Sequence, residues 1–288
     1  MSGAGSELRF PLTASALQAL VREALHEDHA ENDVTTLATV HASRRAGARL
    51  VARETGVIAG VPLALAAFRL VDPEVQVRVD AEDGMAVQPG DTVLHVAGRA
   101  RGILAAERTA LNFMQRLSGV ASLTHRYVAT VQGTHAAILD TRKTTPGWRA
   151  LEKYAVRCGG GTNHRMDLAS AVLIKDNHLA AVDGDIGEAV RRVRECAASG
   201  IPVQVECDTI DQLRSAIAAG ADSVLLDNMS VEQMREAVAI AAGQVVTEAS
   251  GGVRLDTVRA IAESGVDRIS VGALTHSAPA LNLALDFD

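Results

Sequence analysis

Apolar and polar positions follow two different rhythms along the chain. From Ala136 onward short apolar runs recur as AAILD, AVLIKD, VQVECD, SVLLDN, VVTEAS and RISVGA, each followed by a helix-length polar and apolar mixture. Nearly continuous apolar runs suit strands of a parallel sheet covered on both faces. Strand and helix units repeated in this way predict a barrel or a doubly wound sheet. The intervening helices carry their own punctuation. Thr209 with Gln212, and Ser230 with Gln233, have capping-box spacing at helix starts. Gly200, Gly220, Gly243 and Gly265 stand where helices should stop before the next strand. No GxGxxG follows the first strand, which disfavours a dinucleotide-binding sheet. A barrel is expected.

The first part of the chain reads as mixed α and β. Leu17, Leu20, Val21, Ala24 and Leu25 recur at helical spacing and predict an amphipathic helix over residues 13–27. Val75, Val77 and Val79 alternate with Gln76 and Arg78, the period of a half-buried strand. Pro89-Gly90-Asp91 predicts a hairpin turn between two short strands, the second ending near Ala97. One helix is then expected from Gly102 to Leu117 and another onward to Val131.

Composition narrows the function classes. Hydrophobic residues make up 48 % and charged residues 22 % of the 288, a globular profile that excludes disorder. The longest apolar stretch, Val57 to Phe68, is broken by Gly60 and Pro62 and falls short of the roughly 20 residues of a membrane helix. MSGAGSELRF has no basic patch followed by an apolar core, so no signal peptide is expected and the chain reads as cytoplasmic. Cys158, Cys196 and Cys207 have no CxxC spacing, which fits reduced thiols. The formal net charge of −7 and an aromatic content of 2 % argue against a nucleic-acid partner.

The candidate chemistry lies where the apolar runs end. Asp140-Thr141-Arg142-Lys143, Lys175-Asp176-Asn177-His178, Glu206, Asp227-Asn228, Glu248 to Gly252 and Gly272-Ala273 all fall at C-terminal strand ends. In a barrel those ends converge on one mouth, where active sites are built. The cations Arg142, Lys143, Lys175, His164 and Arg165 there imply a substrate with several negative charges, since guanidinium forks match carboxylates and phosphates. Glu206 and Asp227 end consecutive strands. They either hold Mg²⁺ alongside substrate phosphates or form ion pairs with the neighbouring cations. Ser250-Gly251-Gly252 and Gly272 follow the last two strands, a usual place for a phosphate on backbone N–H groups. Cys158 and Cys207 read as buried structural thiols.

Together these residues resemble one family. The matching pieces are Asp140 to Thr144, Pro146-Gly147, Lys153 to Val156, Gly159 to Gly161, Asn163-His164-Arg165, Lys175 to His178, Leu226-Asp227-Asn228, Glu248 to Gly252 and Val271 to Ser277. Upstream, Glu27-Asp28, Asp33 to Thr36 and Glu107 to Asn112 also match. In order and nearly end to end, the chain is similar to the quinolinate phosphoribosyltransferases, the carboxylating nicotinate-nucleotide pyrophosphorylases. It departs from their pattern at His29 to Asn32, where glycines are usual. Further departures are Thr145 and Trp148 around Pro146-Gly147, Gln204 where an acid is usual, and Asp167 where glycine is usual.

The resemblance implies an α/β fold with an open parallel barrel of fewer than eight strands and an N-terminal α/β sandwich. The sandwich is expected over residues 1–116, joined by the tail 276–288, and the barrel over 117–275. The implied reaction moves phosphoribosyl from phosphoribosyl pyrophosphate to quinolinate with loss of CO₂. Arg142, His164, Arg165 and Lys175 would be the quinolinate-binding cations, with Arg108 contributed by a second subunit of a homodimer or of a larger assembly of dimers. Lys143, Lys175, Glu206, Asp227, Ser250, Gly251 and Gly272 would meet phosphoribosyl pyrophosphate. Glu206 and Asp227 would meet Mg²⁺, and Lys143, Lys175, Glu206 and Asp227 would carry the catalysis. A relative acting on another carboxylated heteroaromatic acid, or a silent barrel that only binds phosphorylated metabolites, are the competing readings.

Overall fold

The computed structural model describes residues 8–198 and 200–288. Only the last three residues of the stretch read above for a leader fall within them. The chain divides into two compact units, Met1–His125 with Thr145–Gly160 and Ser277–Asp288, and Arg126–Thr144 with Gly161–His276.

In the first unit, α1 (Ala14–Glu27) starts at Thr13, whose hydroxyl accepts the Ala16 N–H at 3.3 Å, and buries Val21 and Leu25 as its spacing predicts. His29 follows at φ 50°, a left-handed conformation that explains why glycine is otherwise usual here. α2 (Val34–Thr39) is capped by Asp33, and α3 (Val61–Val71) has Pro62 in its first turn. The strands are β1 (Arg45–Ala52), β2 (Gly56–Val57), β3 (Gln76–Val79), β4 (Ala86–Val87), β5 (Thr92–Arg99) and, from the tail, β12 (Leu283–Phe287). They form an antiparallel sheet in the order β12-β1-β5-β3 and a separate β2-β4 pair. The tail is therefore a structural strand of this unit.

Two expectations fail here. Pro89 to Asp91 does form a turn, closed by Asp91 N–H donating to the Gln88 carbonyl at 3.0 Å, but it is no hairpin. β4 pairs with β2, and β5 joins the larger sheet. The two helices expected between Gly102 and Val131 are one helix, α4 (Ala100–Thr130), of 31 residues. Gly119 in its middle is required by a close approach, since a Cβ there would lie 2.0 Å from the Pro279 carbonyl oxygen. The expected division after residue 116 falls inside this helix. The segment carrying α5 (Arg149–Cys158) groups with the first unit because Arg116 pairs with the buried Glu152 at 2.7 Å and Tyr154 donates to Asp83 at 2.8 Å.

The second unit contains all six strands read from the apolar runs. They are β6 (Ala137–Leu139), β7 (Val172–Ile174), β8 (Val203–Cys207), β9 (Ser223–Asp227), β10 (Val246–Ser250) and β11 (Arg268–Ser270). All pair in parallel in the order β6-β11-β10-β9-β8-β7. The first and last strands are neighbours, so chain order runs round a ring with its one gap between β6 and β7. That is an open barrel, because a doubly wound sheet would place its first strand internally. Beside β6, Thr162 exchanges backbone hydrogen bonds with Asp140 and Ile138. The helices are α6 (Asp176–Ala180), α7 (Ile186–Cys196), α8 (Ile210–Ala218), α9 (Val231–Ala241), α10 (Val258–Ala262) and α11 (Ala273–His276). Both expected capping boxes start α8 and α9.

Strand register places the polar residues of these buried strands. Gln204 aligns with Ser223, Glu206 and Glu248 both align with Leu225, and Asp227 aligns with Ser250. Residues in parallel register share a face, so these polar groups share one face, while Val205, Val224 and Ala249 share the other. Gln204 Nε2 donates to Glu248 Oε2 at 3.0 Å although β8 and β10 are not neighbours. Their side chains therefore meet inside the ring. Leu173 and Leu225 share this inner face with the polar groups.

Candidate active site

The site grows from two buried carboxylates of the second unit. Asp140, at the end of β6 and fully buried, accepts from Asn163 Nδ2 at 2.5 Å and from the His164 N–H at 2.9 Å. It thereby fastens the segment 161–165 beside the first strand. Glu248 in β10 is also fully buried and accepts from Gln204 at 3.0 Å and from the Ser270 hydroxyl, with His164 Nε2 at 3.4 Å. Burial pushes its carboxyl up, but the hydrogen bonds from His164, Ser270 and Gln204 outweigh that and hold it below the usual glutamate range. Gln204, where an acid is usual, avoids a second carboxylate against Glu248 in this chain.

Arg142 and Arg165 are the next layer. The buried Nε of Arg142 has no hydrogen-bond partner. One Arg165 Nη donates to the Ala171 carbonyl at 2.8 Å. Burial lowers the Arg165 pKa, and the nearby charge of Arg142 lowers it further. The two guanidiniums repel each other, and one keeps a buried unmatched N–H, an arrangement that an anion would satisfy. Asp167 accepts the Ala169 and Ser170 N–H groups at 2.9 and 2.8 Å and so folds the loop after Arg165, a turn made by a side chain rather than by glycine.

Lys175 ends β7 and reaches Glu206 of β8 in an ion pair. Of the two readings of Glu206, the ion pair is therefore realised in this state. Asp227 ends β9 and accepts the Asn228 side-chain amide at 2.6 Å. Asn228 itself is left-handed at φ 52°, and its N–H donates to the Ser250 carbonyl at 3.0 Å. Gly251 completes this corner at φ 92°, where a Cβ would fall 2.2 Å from Asn228 Oδ1. Gly272 lies beneath the side chains of Lys143 and His276, with a Cβ there 3.3 Å from Lys143 Cδ. The Lys143 carbonyl accepts the Thr275 hydroxyl at 2.7 Å, which ties the ends of β6 and β11 together.

The second unit thus gathers Arg142, Lys143, His164, Arg165, Lys175, Glu206, Asp227, Ser250, Gly251 and Gly272 at its C-terminal strand ends and adjoining loops. Arg108 is an exposed residue of α4 in the first unit. Thr145 and Trp148 are held within the first unit. Thr145 donates to Glu152 through its N–H at 3.0 Å and its hydroxyl at 2.9 Å, and Trp148 stacks on Phe113 at 5.2 Å. Burial pushes the Cys158 and Cys207 thiols up to about 12, so neither is a thiolate nucleophile at neutral pH. Among the described residues no group of three or more His, Cys, Asp and Glu is gathered to hold a metal, and no helix is long and apolar enough to cross a membrane. Strand-end charge alone does not mark Asp140, Asn163, Gln204 and Glu248 as supports. Their signal was the alternation within β8 and β10, which places Gln204 and Glu248 on one face.

Comparison with known proteins agrees with this architecture. Residues 33–118 match the family described as quinolinate phosphoribosyl transferase, N-terminal domain, and residues 120–286 match its C-terminal domain. The chain is 47 % identical over 276 residues to the nicotinate-nucleotide pyrophosphorylase [carboxylating] of Mycobacterium leprae, covering 92 % of this chain and 95 % of that one. It is 40 % identical to the probable enzyme of the same name from Bacillus subtilis, covering 94 % and 93 %. The solved structure of the nicotinate-nucleotide pyrophosphorylase from Francisella tularensis superposes with a TM-score of 0.91 at 39 % identity, covering 97 % of this chain and 99 % of that one. With both domains matched in order and close relatives aligned over nearly their whole length, the chain belongs to the quinolinate phosphoribosyltransferase family.

Proposed function

We propose that the protein transfers phosphoribosyl from phosphoribosyl pyrophosphate to quinolinate, giving nicotinate mononucleotide, CO₂ and pyrophosphate, a step of NAD biosynthesis. The observation that carries the site assignment is the pair of Arg142 and Arg165. Two mutually repelling guanidiniums, one with an unmatched buried N–H, suit a substrate that brings two carboxylates. Lys175 and His164 flank them. Lys143, Ser250, Gly251 and Gly272 supply a cation and backbone N–H groups for the phosphates.

The chemistry asks little acid–base work of the protein. The pyridine nitrogen of quinolinate has a free lone pair and attacks ribose C1 as the bond to pyrophosphate breaks. Lys143 and Lys175 face the charge that builds on the leaving oxygens, and Glu206 and Asp227 face the cationic ribose. The new bond leaves the ring nitrogen positive. The adjacent carboxylate can then leave as CO₂, its bonding electrons remaining on the ring carbon, which takes up a proton. Arg142 and Arg165 hold the ring in place throughout. Glu206 and Asp227 fit Mg²⁺ carried on pyrophosphate, because that ion keeps several waters and needs only one or two protein carboxylates. Bound there, Mg²⁺ neutralises phosphate charge.

Each active unit is a dimer in this reading, with Arg108 acting on the partner's quinolinate. Three thiols outside any disulfide fit a cytoplasmic location. Incubation with quinolinate, phosphoribosyl pyrophosphate and Mg²⁺ should release CO₂ and nicotinate mononucleotide. Nicotinate should be a far poorer substrate, since one carboxylate leaves an arginine unmatched. Arg142→Ala should weaken quinolinate binding roughly 10- to 150-fold, the worth of one charge-assisted hydrogen bond, and leave phosphoribosyl pyrophosphate binding nearly unchanged. Product formation from nicotinate at an equal rate, or unaltered quinolinate affinity in folded Arg142→Ala, would refute the assignment.

A further inference from the structure

We propose that Glu152 is a positioning residue that latches residues 144–148 after β6 and so sets the backbone of Lys143. The Thr145 hydroxyl serves this latch and takes no part in selecting the acid. The inference rests on the reading above, in which Lys143 faces the charge on the leaving pyrophosphate.

Glu152 in α5 is fully buried, and a carboxylate taken out of water needs donors on both oxygens. Its Oε2 accepts the Thr145 N–H at 3.0 Å. Its Oε1 accepts the Thr145 hydroxyl at 2.9 Å and an Arg116 Nη at 2.7 Å. Arg116 belongs to α4, and its other Nη donates to the Ala278 carbonyl at 3.1 Å. One carboxylate thus ties the loop to α4, α5 and the tail. The loop also closes on itself within this frame. Trp148 N–H donates to the Thr145 carbonyl at 3.0 Å, and Glu152 N–H to the Trp148 carbonyl at 2.9 Å. Toward Lys143 the backbone is pinned residue by residue. Thr144 N–H donates to the Arg142 carbonyl at 2.9 Å, and Lys143 N–H to the Thr141 hydroxyl at 3.1 Å. The Lys143 carbonyl accepts the Thr275 hydroxyl at 2.7 Å. Lys143 is therefore held at its own residue and again, two residues on, through Glu152. A side chain that must meet a developing charge to within about 0.5 Å depends on such supports. Thr145 has both its N–H and its hydroxyl hydrogen committed to Glu152, so neither is left to offer a carboxylate.

The experiment is a double-mutant cycle read in kcat/KM for phosphoribosyl pyrophosphate. Glu152→Gln replaces one oxygen by NH₂, and either orientation of the amide sets its N–H groups against Arg116 or against the Thr145 N–H. One pin is lost in each case. Glu152→Gln should lower kcat/KM by about tenfold, the worth of one charge-assisted hydrogen bond. Thr145→Val, which removes one neutral hydrogen bond, should lower it by about threefold, and Thr145→Ser should restore it. In a Lys143→Ala background, Glu152→Gln should cost less than about twofold more, since the latch has nothing left to aim. The preference for quinolinate over nicotinate should be the same in Thr145→Val as in the parent. Trp148, the one tryptophan of the chain, stacks on Phe113 at 5.2 Å within the latched loop, so its emission should shift in Glu152→Gln. A full further tenfold loss in the Lys143→Ala background would overturn the proposal, because Glu152 would then act through another group. Unaltered kcat/KM in Glu152→Gln with a lowered unfolding temperature would overturn it too, leaving a purely structural carboxylate. A changed acid preference in Thr145→Val would overturn the second half. Failure of the underlying reading looks different: Lys143→Ala by itself would leave kcat/KM for phosphoribosyl pyrophosphate untouched. If Glu152→Gln does not fold, the same cycle run with Thr145→Val and Lys143→Ala decides the matter.

Discussion

At the scale of single residues, adjacent glycines in the same turn do different work. Gly251 and Gly252 both have positive φ, at 92° and 57°, so a side chain at either position strains the backbone by about 1–2 kcal/mol. Only Gly251 has a neighbour to hit, the Asn228 amide, which holds Asp227 on one side while its backbone N–H meets Ser250 on the other. Gly251→Ala should therefore displace Asn228 and with it the carboxylate assigned to the pyrophosphate end. Gly252→Ala has open space and should cost stability alone. The expected outcome is a similar fall in unfolding temperature for both variants, but a rise of about tenfold or more in the phosphoribosyl pyrophosphate KM for Gly251→Ala only. Equal KM values would show that the corner can yield without consequence for the substrate. The strand-end cations and glycines of this site were legible in the sequence because charge at the end of an apolar run is conspicuous. The supports were not. Glu248 and Gln204 look like polar interruptions until register places both on one face, and Asp140 looks like one more strand-end acid until the Asn163 and His164 loop folds onto it.

Among the elements, the six barrel strands are readable because their apolar runs end in charged or glycine-rich residues, and glycine stops precede β8 to β11. Pairing was less so. β2 and β4 are two residues each, too short to show a period, and nothing local says that β4 joins β2 across α3 and β3. The expected end near Leu117 is absent from α4, and Gly119, two residues on, has a tertiary reason. The tail passes so close that the Pro279 carbonyl occupies the place of a Cβ, and the Leu281 N–H then donates to the Gln115 carbonyl at 2.9 Å. Alanine at an exposed helical position would add about 1 kcal/mol of helix propensity over glycine. Here the clash is with backbone, which cannot turn aside, and overpacking of this kind costs typically 1–3 kcal/mol and sometimes more. Gly119→Ala should lower the stability of the protein by about 2 kcal/mol net, measured by denaturant unfolding. A stabilised variant would mean that the tail and β12 are held too loosely to resist, and that Gly119 does interrupt the helix.

For the whole molecule the open question is how many chains one site needs. Arg108 stands exposed on α4, beside a Glu107 whose carboxyl burial pushes up. Its resemblance to a quinolinate-binding arginine would give it a task at the barrel mouth of a partner subunit. If Arg108 serves the partner's barrel, a monomer holds no complete site, and activity should depend on pairing. Arg108→Ala and Lys175→Ala should each be nearly inactive as homodimers. In a mixed dimer, one site combines the two lesions and the other combines intact Lys175 with intact Arg108. Random exchange of equal amounts makes about half the dimers mixed, each with one good site of two, so activity should recover to roughly a quarter of wild type. Subunit exchange is followed independently by mass-tagged dimers in native mass spectrometry. Exchange without recovery would place Arg108 in its own chain's site or outside any site, and recovery without dependence on exchange would remove the dimer from the mechanism.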